Sequence, residues 1–446
     1  MTCSPSVLYY GDDFTGATDT LGTAARAGLR ALLLLKTPDA VRLAQLPALD
    51  VLGIAGAARA MTPSEMRAEL APVAALFRTL GARVLHYKTC STFDSAPDIG
   101  SIGEAVRSLR GAVDDPCTVI LGGQPNIGRF CLFGNLFAAA GSGGEIFRID
   151  RHPTMSRHPV TPMHEADLRL HLARQGLDGV RSIPFTLPVH RTAVAHALDV
   201  ARTETETVLF DIADARQLAV IGDVLWSRAA ERTLLAVGPS SVVDALSGAT
   251  RHVQPEGGAR RADTAANLAP VVHPSAGPVL VLAGSLSPVT ARQVASSPSF
   301  DIVWLDAPVL ARRGRTAIAS QAQEIADSLA AGRHVLACTR GHGSTATTPL
   351  DAQSLARAGG DLLAAVLARV PLRRIGVAGG DTSSHGVMAL DAWGLSYVAD
   401  LGAGASLCRV HSDDMRLDGL EIMLKGGQMG TDDVFERLVH GAGVPC

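Results

Sequence analysis

The sequence predicts an α/β protein built as two α/β domains with a ligand cleft between them. Three observations carry that expectation. Short apolar runs that fit buried strands alternate with longer segments of helical periodicity along most of the chain. The 446 residues exceed what a single hydrophobic core usually serves. The alternation breaks once, across 251–278, a stretch rich in Gly, Ala, Pro and charge, and then restarts. The expected domains are therefore 1–250 and 275–446.

Composition narrows the class further. Hydrophobic residues make up 47% and aromatics only 4%, so the core must be Ala, Leu and Val, as in helix-rich α/β proteins. A net charge of −3 gives no support for nucleic acid or a polybasic membrane patch as partner. Lys36 ends the longest early apolar run well short of the ~20 residues that span a membrane. Residues 1–10 have no basic leader region, so no signal peptide is expected. Seven cysteines are scattered, odd in number and form no Cys-x-x-Cys pair, which fits reduced thiols in a cytoplasm.

The first expected strand, 7–10, runs into Gly11, Asp12, Asp13, Phe14, Thr15 and Gly16, and a helix follows to about Ala27. Two adjacent acids where a strand gives way to a helix stand where open α/β sheets bind ligands. Their side chains should diverge, so that one faces a ligand while the other caps the helix or holds a loop. Strands are expected at 31–35 and 51–54, and a helix over 63–80. The strand at 84–87 enters Lys88, Thr89, Cys90, Ser91, Thr92, Phe93, Asp94 and Ser95. This loop carries a cation, an acid and several hydroxyls, a suitable set for a polyhydroxy acid. Another strand, 118–121, precedes Gly128 and Arg129. His152, His158 and His164 recur among three prolines, and an ordered loop over an anionic ligand fits that run better than a metal site. A helix over 165–175 and strands at 208–211 and 234–237 complete the first half.

Beyond 278 the strand 279–283 enters Gly284, Ser285, Leu286, Ser287, Pro288, Val289 and Thr290. Strands at 302–305 and 335–338, with a helix over 321–331, lead to the glycine-rich loop 341–344. A helix over 352–370 feeds the strand 375–378, which ends in Gly379, Gly380, Asp381, Thr382 and Ser383. Strand, glycine turn and helix N-terminus together present free N–H groups and the positive end of a helix dipole, which favour phosphate. No Walker A loop occurs. A last strand, 421–424, ends in Lys425, Gly426, Gly427, Gln428, Met429 and Gly430, where a lysine beside paired glycines can neutralise phosphate charge. The economical reading places a nucleotide on the second half and a small polar acceptor on the first.

In this order the motifs resemble the four-carbon acid sugar kinase family. The likeness rests on 11–19, on 87–95 with Ile102 and Gly103, on Gly128 with Arg129, on 157–163, on 284–290, on 379–383 and on 425–430, and so covers nearly the whole chain. The resemblance implies an N-terminal acid-sugar domain, a C-terminal nucleotide domain, and ATP-dependent phosphorylation of the terminal hydroxyl of threonate, erythronate or 3-oxo-tetronate. It also implies Mg²⁺, whose ligands the sequence does not identify. On this reading Arg59 and Lys88 hold the acceptor carboxylate, and Ser91, Thr92, Asp94 and Ser95 bind its hydroxyls. Asp12 or Asp13 orients and deprotonates the attacking hydroxyl, with Asp13 preferred as the nearer to the helix start. Ser285, Gly379, Gly380, Asp381, Thr382, Ser383, Lys425, Gly426 and Gly427 hold the nucleotide. Three departures are visible: Asp381 where the family often has Glu, Gly-Gly-Gln-Met-Gly at 426–430, and Gly-Ala-Ala-Arg at 56–59. The number of subunits stays open, with a homodimer allowed. The alternative of another class is a non-catalytic acid-sugar sensor, against which the Asp12–Asp13 pair speaks.

Overall fold

The computed structural model describes residues 5–141, 143–158, 160–250, 271–284, 287–306, 315–339, 352–402 and 404–442. The chain divides into two compact units, Met1–Ala259 and Arg260–Cys446. Most of the stretch expected as a linker, and the loop 341–344, lie outside the described residues.

The first unit begins with β1 (Val7–Gly11), α1 (Phe14–Arg26), β2 (Ala31–Leu34), α2 (Ala40–Gln45), β3 (Val51–Ala55), α3 (Pro63–Leu80), β4 (Val84–Lys88) and α4 (Ile102–Arg110). After β5 (Thr118–Leu121) come three short antiparallel strands, β6 (Arg129–Leu132), β7 (Asn135–Ala139) and β8 (Ile146–Arg148). The unit closes with α5 (Leu168–Ala173), β9 (Arg181–Ile183), α6 (Arg191–Arg202), β10 (Thr207–Phe210), α7 (Ala215–Ala229), β11 (Leu234–Gly238) and α8 (Ser241–Thr250). Its main strands are parallel in the order β2-β3-β1-β4-β11-β5-β10-β9.

The sequence explains why these elements form. β1, β3, β4 and β11 are buried along their whole length, which is why they read as unbroken apolar runs. α3 starts at a capping box in which Thr62 and Glu65 satisfy each other's backbone N–H, with Pro63 at the first helical position. The register sets the height of the loops. Gly11 stands opposite Ala55 and Lys88, and Lys88 opposite Gly238, so the segments after β1, β3, β4 and β11 leave the sheet at one level. The strand order reverses at β1, because the chain lays β2 and β3 on one side of it and then crosses to β4 on the other. Open parallel sheets bind ligands at such a reversal.

The second unit repeats that order. It contains β12 (Val279–Ala283), α9 (Pro288–Ala295), β13 (Phe300–Leu305), α10 (Arg315–Ala330), β14 (His334–Thr339), α11 (Ala352–Leu367), β15 (Arg374–Ala378), α12 (Gly380–Met388), β16 (Gly394–Gly402), β17 (Ala405–His411), β18 (Glu421–Lys425) and α13 (Val434–His440). Strands β13-β14-β12-β15-β18 are parallel, and β17 and β16 add an antiparallel flank. Here the reversal falls at β12, between β14 and β15. Ala283 aligns with Ala378, and Ala378 with Lys425, so the turns after β12, β15 and β18 again emerge level.

Candidate active site

In the first unit the reversal gathers a charged cluster. Asp13 is the N-cap of α1: its Oδ1 accepts from the Gly16 N–H at 2.9 Å. The same oxygen accepts from Lys88 Nζ at 3.3 Å, and Oδ2 accepts from Arg59 Nη2 at 2.6 Å. Asp12 turns the other way. Its backbone N–H donates to Lys88 O at 3.0 Å, and its Oδ2 accepts from the Cys90 N–H at 3.3 Å. Its Oδ1 is buried, has no hydrogen-bond donor, and lies 3.7 Å from Lys88 Nζ. Arg59 also stands 4.0 Å from Asp94. Gly16 is needed here for close approach, since a Cβ on it would sit 1.3 Å from Lys88 Nζ.

Three carboxylates thus face two cations, and one negative charge is uncompensated. Burial pushes the Asp12 carboxyl up to about 6, against the pull of Lys88. Burial acts on Asp13 in the same direction, but Arg59 and Lys88 outweigh it and hold Asp13 well below the usual carboxylate range. Burial would lower the Lys88 ammonium, yet Asp13 and Asp12 raise it above its ordinary value. Two adjacent acids in unlike environments, one held ionised and one pushed toward neutrality, are the usual arrangement for divided acid–base roles.

The loop after β4 is largely satisfied from within. Thr92 Oγ1 donates to Asp94 Oδ1 at 2.5 Å, and Thr161 Oγ1 donates to Asp94 Oδ2 at 3.4 Å. Ser95 Oγ donates to Phe93 O and meets His171 Nε2 and the Gln175 amide. Phe93 has a φ of 53°, rare for so bulky a residue, and is fully buried. Among the expected acceptor ligands, Ser91 is half-buried and its hydroxyl makes no hydrogen bond to the described residues, whereas Lys88 is 4% exposed and enclosed by acids. The histidine-rich segment is ordered by its own rings: His152 Nδ1 accepts from the Thr154 and Met155 N–H groups, and His158 Nδ1 from that of Thr161. No metal-binding group of three acids, cysteines or histidines occurs among the described residues.

The second unit carries different chemistry at its reversal. Gly379, with φ 126° and ψ 137°, turns the chain from β15 into α12, and no side chain caps that helix. The first N–H groups of α12 therefore point outward with no intrahelical acceptor. A Cβ on Gly380 would meet nothing within 4 Å, so open space lies against that backbone. The Gly379 N–H donates to Lys425 O at 3.0 Å, which ties the glycine turn to the end of β18. Lys425 itself is 0% exposed; its Nζ donates to Thr290 Oγ1 at 3.4 Å and lies over the Phe435 ring. Among the described side chains no carboxylate pairs with it, and burial pushes its ammonium down to about 8. Helix α9 holds the following loop. Ser287 and Thr290 hydroxyls donate to Gly427 O, and the Gln293 amide donates to the carbonyls of Met429, Gly430 and Thr431. Thr290 belongs to the 284–290 motif, which had no clamping role assigned to it, and Gln293 carried no sequence signal beyond the helix cap at Ser287. Ser285 and the Asp381 side chain lie outside the described residues.

One unit with an acid–cation cluster and a second with an uncapped helix start beside a buried lysine fit a phosphotransferase that takes a polar acceptor on the first and a nucleotide on the second. Comparison with known proteins agrees. Residues 7–246 match the family described as the sugar-binding N-terminal domain, and residues 280–435 the nucleotide-binding C-terminal domain. A 3-oxo-isoapionate kinase of Paraburkholderia graminis is 37% identical, with 98% of this chain and 94% of the relative covered. A 3-oxo-tetronate kinase of Cupriavidus necator is 30% identical, with 97% and 96% covered. The crystal structure of a Salmonella typhimurium LT2 protein, described as a tRNA synthase candidate, has the same fold, with a TM-score of 0.78 and 23% identity over 97% of this chain and 98% of that one. The chain belongs to the four-carbon acid sugar kinase family, and it is a phosphotransferase with an alcohol group as acceptor. None of its helices, among the described residues, is long and apolar enough to cross a membrane.

Proposed function

We propose that the enzyme transfers the γ-phosphoryl group of ATP to the terminal hydroxyl of a four-carbon acid sugar, and that a 3-oxo acid is the preferred acceptor. Both relatives compared above are named for 3-oxo acids, which favours that form over threonate or erythronate. The observation that carries the reading is the odd carboxylate of the first unit. Asp12 Oδ1 is buried without a donor in a cluster that has one acid too many. An acceptor hydroxyl would supply the missing donor, and the raised pKa suits Asp12 to receive its proton near neutral pH.

The preference for Asp13 as base gives way on this reading. Asp13 is committed to the helix cap and to two cations, so it orients Arg59 and Lys88 and fixes the start of α1. Ser91, together with the loop that Thr92, Asp94 and Ser95 shape, faces the acceptor hydroxyls. In the second unit the start of α12 at Gly380, Asp381, Thr382 and Ser383 receives phosphate, with Lys425, Gly426 and Gly427 beside it and Ser285 assigned from sequence. Phosphoryl transfer needs mainly positioning and charge neutralisation, so no covalent nucleophile is required. Mg²⁺, when bound with the nucleotide, would supply charge neutralisation for its phosphates. Among the described residues five cysteines are free, four of them buried, which fits a reducing cytoplasm.

The test is ADP release from ATP in the presence of 3-oxo-tetronate, 3-oxo-isoapionate, D- and L-threonate and D-erythronate. Release that depends on a 3-oxo acid supports the proposal, and release only with threonate or erythronate defeats the 3-oxo preference. Release independent of any acid, or none at all, defeats it.

A further inference from the structure

Arg129 is a cation without a counter-charge. It opens β6, just beyond the turn that follows β5. Its Nη1 donates to the carbonyl oxygens of Ile127 at 3.1 Å, Gly128 at 3.3 Å and Ala139 at 3.0 Å, which fixes the guanidinium plane. Its Nε is buried and has no hydrogen-bond partner. No carboxylate of the described residues pairs with it, whereas Arg59, Arg107, Arg110, Arg169 and Arg202 each have one. Burial pulls the Arg129 guanidinium below its ordinary pKa, and the Cys90 thiol is the ionisable neighbour that opposes this. Arg129 in turn helps to depress His152. Its backbone is bridged to Gln124 in the turn that follows β5.

Charge decides where an anionic acceptor can lie. The cluster of Asp12, Asp13 and Asp94 with Arg59 and Lys88 already carries a surplus negative charge, so it repels a carboxylate. Arg129 is a fixed guanidinium with donors to spare, the geometry that grips a carboxylate by two parallel bonds. The register joins the two places: Gly238 stands opposite Lys88 and Val237 opposite Ile120, so the turn after β5 that carries Arg129 leaves the sheet at the same edge as the loop after β4 and as Asp12. We propose that Arg129 holds the carboxylate of the acceptor, which then lies with its acid end at Arg129 and its reacting hydroxyl at Asp12. This rests on the acid sugar kinase reading above. Arg59 and Lys88 are then positioning residues for the acids.

The test compares wild-type enzyme with Arg129→Gln, which keeps donors for the carbonyls and removes the charge. Loss of a buried charge pair should raise KM for the acid sugar about 30-fold or more, leaving KM for ATP and kcat at saturating acceptor within about threefold. The carboxamide of the same acceptor should be a far poorer substrate than the acid for wild type, and nearly equal to it for the variant. If Arg129→Gln does not fold, phenylglyoxal labelling of the wild type decides, because bound acid sugar should shield Arg129. An unchanged acceptor KM, a rise confined to KM for ATP, or labelling of Arg129 indifferent to acid sugar would overturn the assignment. Wild type inactive on every acid sugar would instead overturn the proposed function itself.

Discussion

Replacing Asp12 by asparagine separates a catalytic acid from a structural one, because its two consequences have opposite signs. Asn keeps the shape and one acceptor for the Cys90 N–H but cannot ionise. The folded protein raises the Asp12 pKa from 3.8 to about 6. At 1.36 kcal/mol per pH unit that gap corresponds to about 3 kcal/mol, as an upper bound. A raised pKa means the protonated form is favoured on folding, so its stabilisation is complete below pH 3.8 and is lost as pH rises through about 6. Wild type at neutral pH therefore carries an unfavourable buried charge that Asp12→Asn lacks. The variant should match wild type in melting temperature near pH 4 and exceed it by several degrees at pH 7. Its kcat should fall about a hundredfold or more, as expected for loss of a general base. Differential scanning calorimetry between pH 4 and 8, with kcat at saturating ATP and acceptor, measures both. A variant that is less stable than wild type at pH 7, or that keeps near wild-type kcat, refutes the argument.

Asp13→Asn should do the reverse on stability: breaking the buried pairs with Arg59 and Lys88 should cost about 3–5 kcal/mol at pH 7, and the deficit should shrink in acid, where wild type also loses this charge. In wild type, kcat/KM should rise with pH through a limb near 6 set by Asp12, and a profile flat from pH 5 to 8 would contradict that role. Gly380→Ala should leave the melting temperature unchanged or slightly higher, since its Cβ meets only open space, while calorimetry shows nucleotide affinity reduced about tenfold or more. Gly379→Ala should instead destabilise the fold by about 1–3 kcal/mol, because its φ of 126° suits glycine. Lys425→Met should keep or raise stability while weakening nucleotide binding, and wild type should take up a proton when it binds nucleotide near pH 8.

Much of the architecture was legible because the main strands of each unit are parallel and buried. Strands such as 7–10, 84–87 and 375–378 read as apolar runs, and the polar residues that end them mark the ligand edge. The antiparallel pieces escaped. β6, β8 and β16 are only partly buried and show neither a clean alternation nor an apolar run. The motifs around Asp12, Lys88, Gly380 and Lys425 were equally visible, but not how charge is shared among them. That Arg59 and Lys88 are taken up by acids 46 and 75 residues away, while Arg129 is not, follows from tertiary placement alone. Likewise a pair of acids before a helix announces that one of them caps it. Which one depends on the backbone of Asp13, extended at φ −145° and ψ 161°, which aims its carboxylate back at Gly16.

The most direct test of the account is the chemical identity of the product. Wild-type enzyme incubated with ATP, Mg²⁺ and 3-oxo-tetronate should yield ADP and a sugar phosphate in equal amounts. Phosphorus–proton correlation NMR should place the phosphate on the terminal carbon, at the end opposite the carboxylate. ADP formed without a phosphorylated acid, or phosphate attached at the carboxylate or an internal hydroxyl, would contradict the account.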